Sequence, residues 1–122
     1  DRLFPWLSAK QNVEAVIKDK NKKSLAIELL CELGLENELN TYPAQLSGGM
    51  NRRVAIARAL AYDFDLLTLD EALKGLDEKS VENTVRVIKK YSLGKTVLSV
   101  THVPSALEEN AAYVFDFNKK TD

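Results

Sequence analysis

At 122 residues, 45% hydrophobic and 29% charged, the chain has the size of one domain and enough apolar content to bury a core, which excludes disorder. Its 17 Lys and Arg against 18 Asp and Glu leave a net charge of -1, so no overall cationic footprint points to nucleic acid or an anionic membrane. No apolar run approaches the roughly 20 residues of a membrane helix, and no charged-then-apolar leader opens the sequence, so the expectation is a soluble, cytoplasmic protein.

From Ser8 to Gly34 the periodicity predicts two helices. Val13, Val16 and Ile17 share one face, Leu25, Leu29, Leu30 and Leu33 another, and Gly34 is placed as a C-terminal stop. The lone Cys31 cannot form an internal disulfide and with the lone His102 makes a poor metal site. Lying among leucines, it reads as a small core residue. Glu36 to Pro43 is a polar connection, and a third helix follows Ser47, Gly48 and Gly49. On that helix Met50, Val54, Ala57 and Ala61 recur at helical spacing, with Asn51, Arg52 and Arg53 elsewhere on its surface.

The pattern then changes to α/β. Leu66 to Leu69 is a short continuous apolar run, expected as a strand covered on both faces of a parallel sheet. A helix from about Asp77 to Tyr91 carries Val81, Thr84, Val85 and Ile88 at i, i+3, i+4 and i+7, and Gly94 closes it. A second buried strand is expected over Thr96 to Thr101, a short helix near Pro104 and a further strand over Tyr113 to Phe117.

Two places carry chemistry. Leu46-Ser47-Gly48-Gly49-Met50 opens the third helix, where two glycines admit a close ligand, Ser47 adds a hydroxyl and the helix start offers free N–H groups to an anion. For Ser-Gly-Gly alone, a simple helix cap is the blander alternative. Asp70 and Glu71 end the first strand, at the carboxyl edge where α/β sheets bind ligands. A solvated strand end is the alternative there.

The run Tyr42-Pro43-Ala44-Gln45-Leu46-Ser47-Gly48-Gly49, followed by Arg53-Val54-Ala55-Ile56-Ala57-Arg58-Ala59-Leu60, resembles the ABC transporter signature and its helix nearly position for position. Met50 replaces the usual glutamine and is similar to importers of the nitrate, sulfonate and taurine type, as is Asp1-Arg2-Leu3-Phe4-Pro5-Trp6 to the stretch after the Q-loop glutamine. The resemblance implies a Walker B motif with Asp70 as the magnesium partner and Glu71 as the base for attacking water. Gly75-Leu76-Asp77 resembles the D-loop, whose aspartate reaches across a dimer interface; Asp77 would equally serve as an N-cap. Ser99-Val100-Thr101-His102 resembles the H-loop, whose histidine contacts the γ-phosphate. Ala72-Leu73 and Val103 depart from the family pattern, the first leaving the loop backbone less restrained than proline would.

No G-x-x-x-x-G-K-S/T run is present. Gly94-Lys95-Thr96 fails because Lys89 stands where the first glycine is needed and a strand follows instead of a helix. Gly94 therefore reads as a helix stop and Lys95 as solvated. The resemblance thus implies an α/β fold, the C-terminal part of an ABC-type P-loop NTPase domain: a helical subdomain over 1–62 with the signature, then a partial parallel sheet with flanking helices over 63–122. It also implies ATP and Mg2+ as cofactors, a second ABC ATPase subunit and transmembrane permease subunits as partners, and a location at the inner face of the membrane through the permease. No nucleic-acid partner is expected. Two other readings stand beside it, a non-transport ABC ATPase, which would carry heptad insertions absent here, and a non-enzymatic pairing fragment.

Overall fold

The computed structural model describes residues 2–101. Ser8 starts the first helix, α1 (Ala9–Glu14), by a reciprocal capping box: its hydroxyl accepts the Gln11 N–H at 3.3 Å, and Gln11 Oε1 accepts the Ser8 N–H at 2.9 Å. The helix is shorter than expected. Its last turn tightens into i→i−3 bonds at Val16 and Ile17, which therefore follow α1 although both pack on the core. Asn12 is fully buried; its Nδ2 donates to the carbonyls of Phe4, Leu7 and Ser8, and its Oδ1 accepts the Phe4 N–H at 2.8 Å. One amide side chain thereby fixes the whole entering segment.

A single 3-10 turn (Lys20–Lys22), capped by Asp19, leads into α2 (Ser24–Glu32). Gly34 ends it as expected, at φ 76°, with Leu35 N–H donating to the Leu30 carbonyl at 2.8 Å and Gly34 N–H to Cys31 at 3.0 Å. This is a Schellman stop sealed by two fully buried leucines. Cys31 is exposed, contrary to the expectation of a core residue. The face turned inward is Ala26, Leu29, Leu30 and Leu33, and Cys31 lies with Ile27 on the opposite side.

The third helix, α3 (Gly48–Ala61), buries Val54, Ile56, Ala57, Leu60 and Ala61 against α1 and α2. Strand β1 (Leu66–Asp70), helix α4 (Glu78–Tyr91) and strand β2 (Thr96–Val100) then form a βαβ unit. The strands are parallel, paired from Leu66 opposite Thr96 to Asp70 opposite Val100. One continuous core runs from Val13 through Leu30 and Val54 to Leu67, Leu69, Val87 and Ile88.

Among the described residues the sheet is packed on one face, contrary to the expectation for both strands. Leu67 and Leu69 turn inward at 7% and 5% exposure, whereas Leu66, Leu98 and Val100 turn outward at about half exposure. The core cluster that takes Leu67, Leu69 and Val97 draws on Val87 and Ile88 of α4 and on the helices before β1, so packing reaches only alternate strand positions. The short helix near Pro104 and the strand over Tyr113 to Phe117 lie outside the described residues.

Glu32, at the end of α2, ties the helical part to α4. Its carboxylate accepts from Lys90 Nζ at 2.6 Å and Tyr91 OH at 2.8 Å, with Arg86 at 3.5 Å, and its backbone carbonyl accepts from Asn83 Nδ2 at 2.7 Å. The Lys90 and then the Tyr91 hydrogen bonds hold the Glu32 carboxyl below its usual range. Burial, then the bond to Glu32, pushes the Tyr91 phenol up to about 12. Lys95 is not merely solvated: its ammonium donates to the Phe64 carbonyl, sits over the Phe64 ring and meets Asp63 at 3.5 Å.

The one-faced sheet gives a direct contrast. Leu30→Ala should lower stability by about 2–5 kcal/mol, whereas Leu98→Thr, on the open face, should change it by less than about 0.5 kcal/mol. Urea unfolding checks both; a loss at Leu98 equal to that at Leu30 would mean that the outer face is covered.

Candidate nucleotide-contact site

Ser47 stands at the start of α3 in extended backbone, and its hydroxyl accepts the Met50 N–H at 3.1 Å. The N–H groups of Gly48 and Gly49 occupy the first turn, ahead of the point at which intrahelical bonding begins. Space above Gly48 is open, since no atom lies within 4 Å of where a Cβ would stand. Ser47 and Gly48 are exposed, Gly49 and Met50 half-buried, and Leu46 buried at 8% as the anchor beneath them. Asn51 holds the approach by donating from Nδ2 to the carbonyls of Pro43 and Leu46 at 3.0 and 3.4 Å.

At the other place, β1 delivers Asp70, exposed, and Glu71, half-buried, to the carboxyl edge of the sheet. Glu71 has φ 49°, the left-handed conformation, and is the non-glycine residue among those described that adopts it. That conformation costs a side-chain-bearing residue about 1–2 kcal/mol. It is held by the Glu71 N–H donating to the Val100 carbonyl at 2.9 Å, and by the Glu71 carbonyl accepting from Lys74 N–H at 3.1 Å. Gly75, at φ 81°, completes the turn into Asp77.

Asp77 is the N-cap of α4. Its Oδ1 accepts the Ser80 N–H at 2.9 Å and its Oδ2 the Ser80 hydroxyl at 2.7 Å. The Ser80 hydroxyl first, then the Ser80 N–H, and with a smaller contribution the Arg53 charge, keep its carboxyl below the ordinary range.

The structure brings the helix start and the turn together. A Cβ on Gly49 would meet Leu76 Cδ2 at 3.3 Å, and Arg52 donates to the Lys74 carbonyl. Arg53 donates to the carbonyls of Leu33 at 3.0 Å and Gly49 at 3.4 Å. Asn51, Arg52 and Arg53, expected on the helix surface off its apolar face, therefore brace the site. Arg52 and Arg53 reach backbone carbonyls close in space but 20 or more residues away in sequence, and helical periodicity carries no signal for that. Their position within one turn of the two glycines is the only hint. His102 lies outside the described residues.

The donor set fits the group implied for it. Among the described residues no three His, Cys, Asp or Glu side chains gather into a metal cage. Mg2+ asks for less: one or two carboxylates, which the Asp70–Glu71 edge could supply, beside the oxygens of a bound phosphate. The open, N–H-lined start of α3 suits phosphate oxygens.

A parallel βαβ unit with paired carboxylates at its carboxyl edge, beside a Gly-Gly helix start, is the arrangement of an α/β nucleotide-binding domain. Residues 1–74 match the ABC transporter family model, and the chain belongs to that family. It is 41% identical over 118 residues, 92% of its length, to an uncharacterized ABC transporter ATP-binding protein of Thermotoga maritima, of which it covers 50%. Over 107 residues, 82% of this chain and 44% of the relative, it is 45% identical to the glutamate transport ATP-binding protein GluA of Corynebacterium glutamicum. Among solved structures, the ATP-binding cassette MJ0796, dimeric in a post-hydrolysis state with ADP and Pi, matches with TM-score 0.73 and 37% identity over 84% of this chain and 49% of that one. The chain spans half or less of the length of these relatives. Other relatives carry names of macrolide export and methionine import, so the narrower resemblance to nitrate, sulfonate and taurine importers finds no particular support.

The Asp77 cap predicts a pH dependence. Because its folded pKa is depressed, its contribution to stability is complete above the unfolded value near 3.8 and is lost as pH falls through the lower folded value. Asp77→Asn, which keeps a capping oxygen but cannot ionise, should flatten that acid limb in thermal unfolding followed from pH 6 to 2; an unchanged limb would remove Asp77 from it.

Proposed function

We propose that the intact subunit containing this chain binds and hydrolyses ATP and couples hydrolysis to membrane transport. The observation that supports this most is the cross-braced pair of elements: a Gly-Gly helix start fastened to the turn that presents Asp70, Glu71 and Asp77. When bound, Mg-ATP supplies the phosphoryl group and the cation that neutralises its developing charge. Asp70 would hold Mg2+ through its carboxylate oxygens. Glu71 takes a proton from the attacking water at its carboxylate. Leu46 anchors the loop, while the Ser47 hydroxyl, the N–H groups of Gly48 and Gly49 and the adjoining Met50 face a nucleotide held by a second subunit. Asp77 reaches toward that same interface, and His102, from the family resemblance, contacts the γ-phosphate.

In this reading residues 1–62 form the helical part, whose segment from Ser8 to about Leu39 faces the permease, and 63–122 belong to the catalytic core. The open sheet face of Leu66, Leu98 and Val100 is where the remainder of the subunit packs. No helix among the described residues is long and apolar enough to cross a membrane, which is consistent with attachment to the inner membrane face through permease subunits. Substrate choice rests with those subunits.

In the intact subunit, Glu71→Gln keeps the shape and removes the base. Turnover should fall about 100- to 10,000-fold with ATP binding retained; comparable turnover in a phosphate-release assay would take Glu71 out of the mechanism.

The 122-residue chain alone should neither hydrolyse ATP nor bind it tightly. Helix-terminus contacts give about 0.3–2 kcal/mol each, while micromolar affinity needs about 8 kcal/mol. Calorimetric titration with Mg-ATP should show no micromolar binding; finding it, or Glu71-dependent turnover, would reveal a phosphate site within these residues.

A further inference from the structure

The left-handed backbone at Glu71 is an unfavourable state that persists only where its surroundings over-determine it. Residue 72 is alanine, so no proline ring stiffens the next step of the chain. Within the turn, Lys74 N–H donates to the Glu71 carbonyl and Leu76 N–H to the Leu73 carbonyl at 3.3 Å, a longer and weaker bond. Support from outside the turn comes from β2, where the Val100 carbonyl accepts the Glu71 N–H at 2.9 Å, and from α3. Arg52 donates to the Lys74 carbonyl, and Gly49 leaves just enough room for Leu76.

We infer that Arg52 is a positioning residue for Glu71: its hydrogen bond to the Lys74 carbonyl fastens the turn that sets the Glu71 carboxylate to the start of α3. The guanidinium is a charged donor, and a bond from it to a backbone carbonyl is stronger than a neutral one. Lys74 is bonded at both ends, its N–H to Glu71 and its carbonyl to Arg52. A shift of α3 by contact at Ser47 to Met50 is therefore carried to the Glu71 backbone through one residue. The start of α3 and the carboxylate of Glu71 move as one body, and chemistry at Glu71 is sensitive to what the helix start touches. This inference rests on the ATPase reading given above.

The test uses the intact subunit with Arg52→Met and Arg52→Lys, reading kcat, KM for ATP, and hydrogen exchange at the amides of Lys74 and Leu76. Arg52→Met should lower kcat about tenfold with KM within about twofold, as for loss of one charge-assisted hydrogen bond that acts through another residue. Both amides should exchange about tenfold faster in that variant. Arg52→Lys keeps a cationic donor and should recover most of the rate and the protection. Unchanged kcat and exchange in Arg52→Met would overturn the inference. So would a raised KM at unchanged kcat, which would make Arg52 a nucleotide contact. Should Arg52→Met fail to fold, Leu76→Ala loosens the same turn, with lower kcat at unchanged KM expected and an unchanged kcat contradicting it. A wild-type subunit without ATPase activity would refute the functional reading instead, while amide exchange still decides whether Arg52 holds the turn.

Discussion

Val54 and Ala57 of α3 share one core with Val13 of α1, Leu29 and Leu30 of α2 and the capping Leu33, with no exposure left on any of them. The rest of the described structure is arranged around that contact. Because the inward face of α3 is spent on α1 and α2, its first turn projects free, with Ser47 capping it and the space above Gly48 open. Because its last turn buries Leu60 and Ala61, the chain emerges at Phe64 and Leu67 already on the core. The strand that follows can carry Asp70 and Glu71 in one direction only, to the same edge as the turn that Arg52 and Leu76 fasten to the helix start.

The site draws on that rigidity. A left-handed glutamate and an open Gly-Gly cap are both unfavourable in isolation, the first by sterics and the second by backbone entropy. They are held by neighbours whose own geometry is satisfied: Asn12 and Asn51 pin the loops, Gly34 stops α2, and Asp77 caps α4. Glu32, gripping Lys90 and Tyr91, adds a tie between α2 and the last turn of α4. Its side chain is partly exposed, so solvent screening keeps its share of stability small.

What could be read from sequence was what local chemistry dictates. Gly34 as a stop, Asp77 as a cap and the switch to a strand at Leu66 follow from turn chemistry and periodicity, and each is where it was expected. The family resemblance supplied the order of the motifs. Illegible were features decided by distant packing. Leu66-Leu67-Thr68-Leu69 reads as buried on both faces because apolar composition does not say which face finds a partner. Cys31 is exposed despite its leucine neighbours because a residue adjacent in sequence stands more than a quarter of a turn away on the helix. The roles of Arg52 and Arg53 depend on carbonyls 20 and more residues distant. Asp70, Glu71 and the signature residues are consistent in geometry with the roles proposed for them, and activity is what will assign those roles.

In the proposed dimer, Ser47 and Glu71 of one subunit serve two different nucleotides, so a working site takes one element from each of two chains. Intact subunits carrying Ser47→Arg and, separately, Glu71→Gln should each be inactive as homodimers. Mixed and allowed to exchange, they should regain about a quarter of wild-type ATPase activity, since about half the dimers pair the two variants and each such dimer keeps one complete site. Absence of any recovery in mixtures shown to contain the heterodimer would contradict the account, because it would place Ser47 and Glu71 at the same nucleotide.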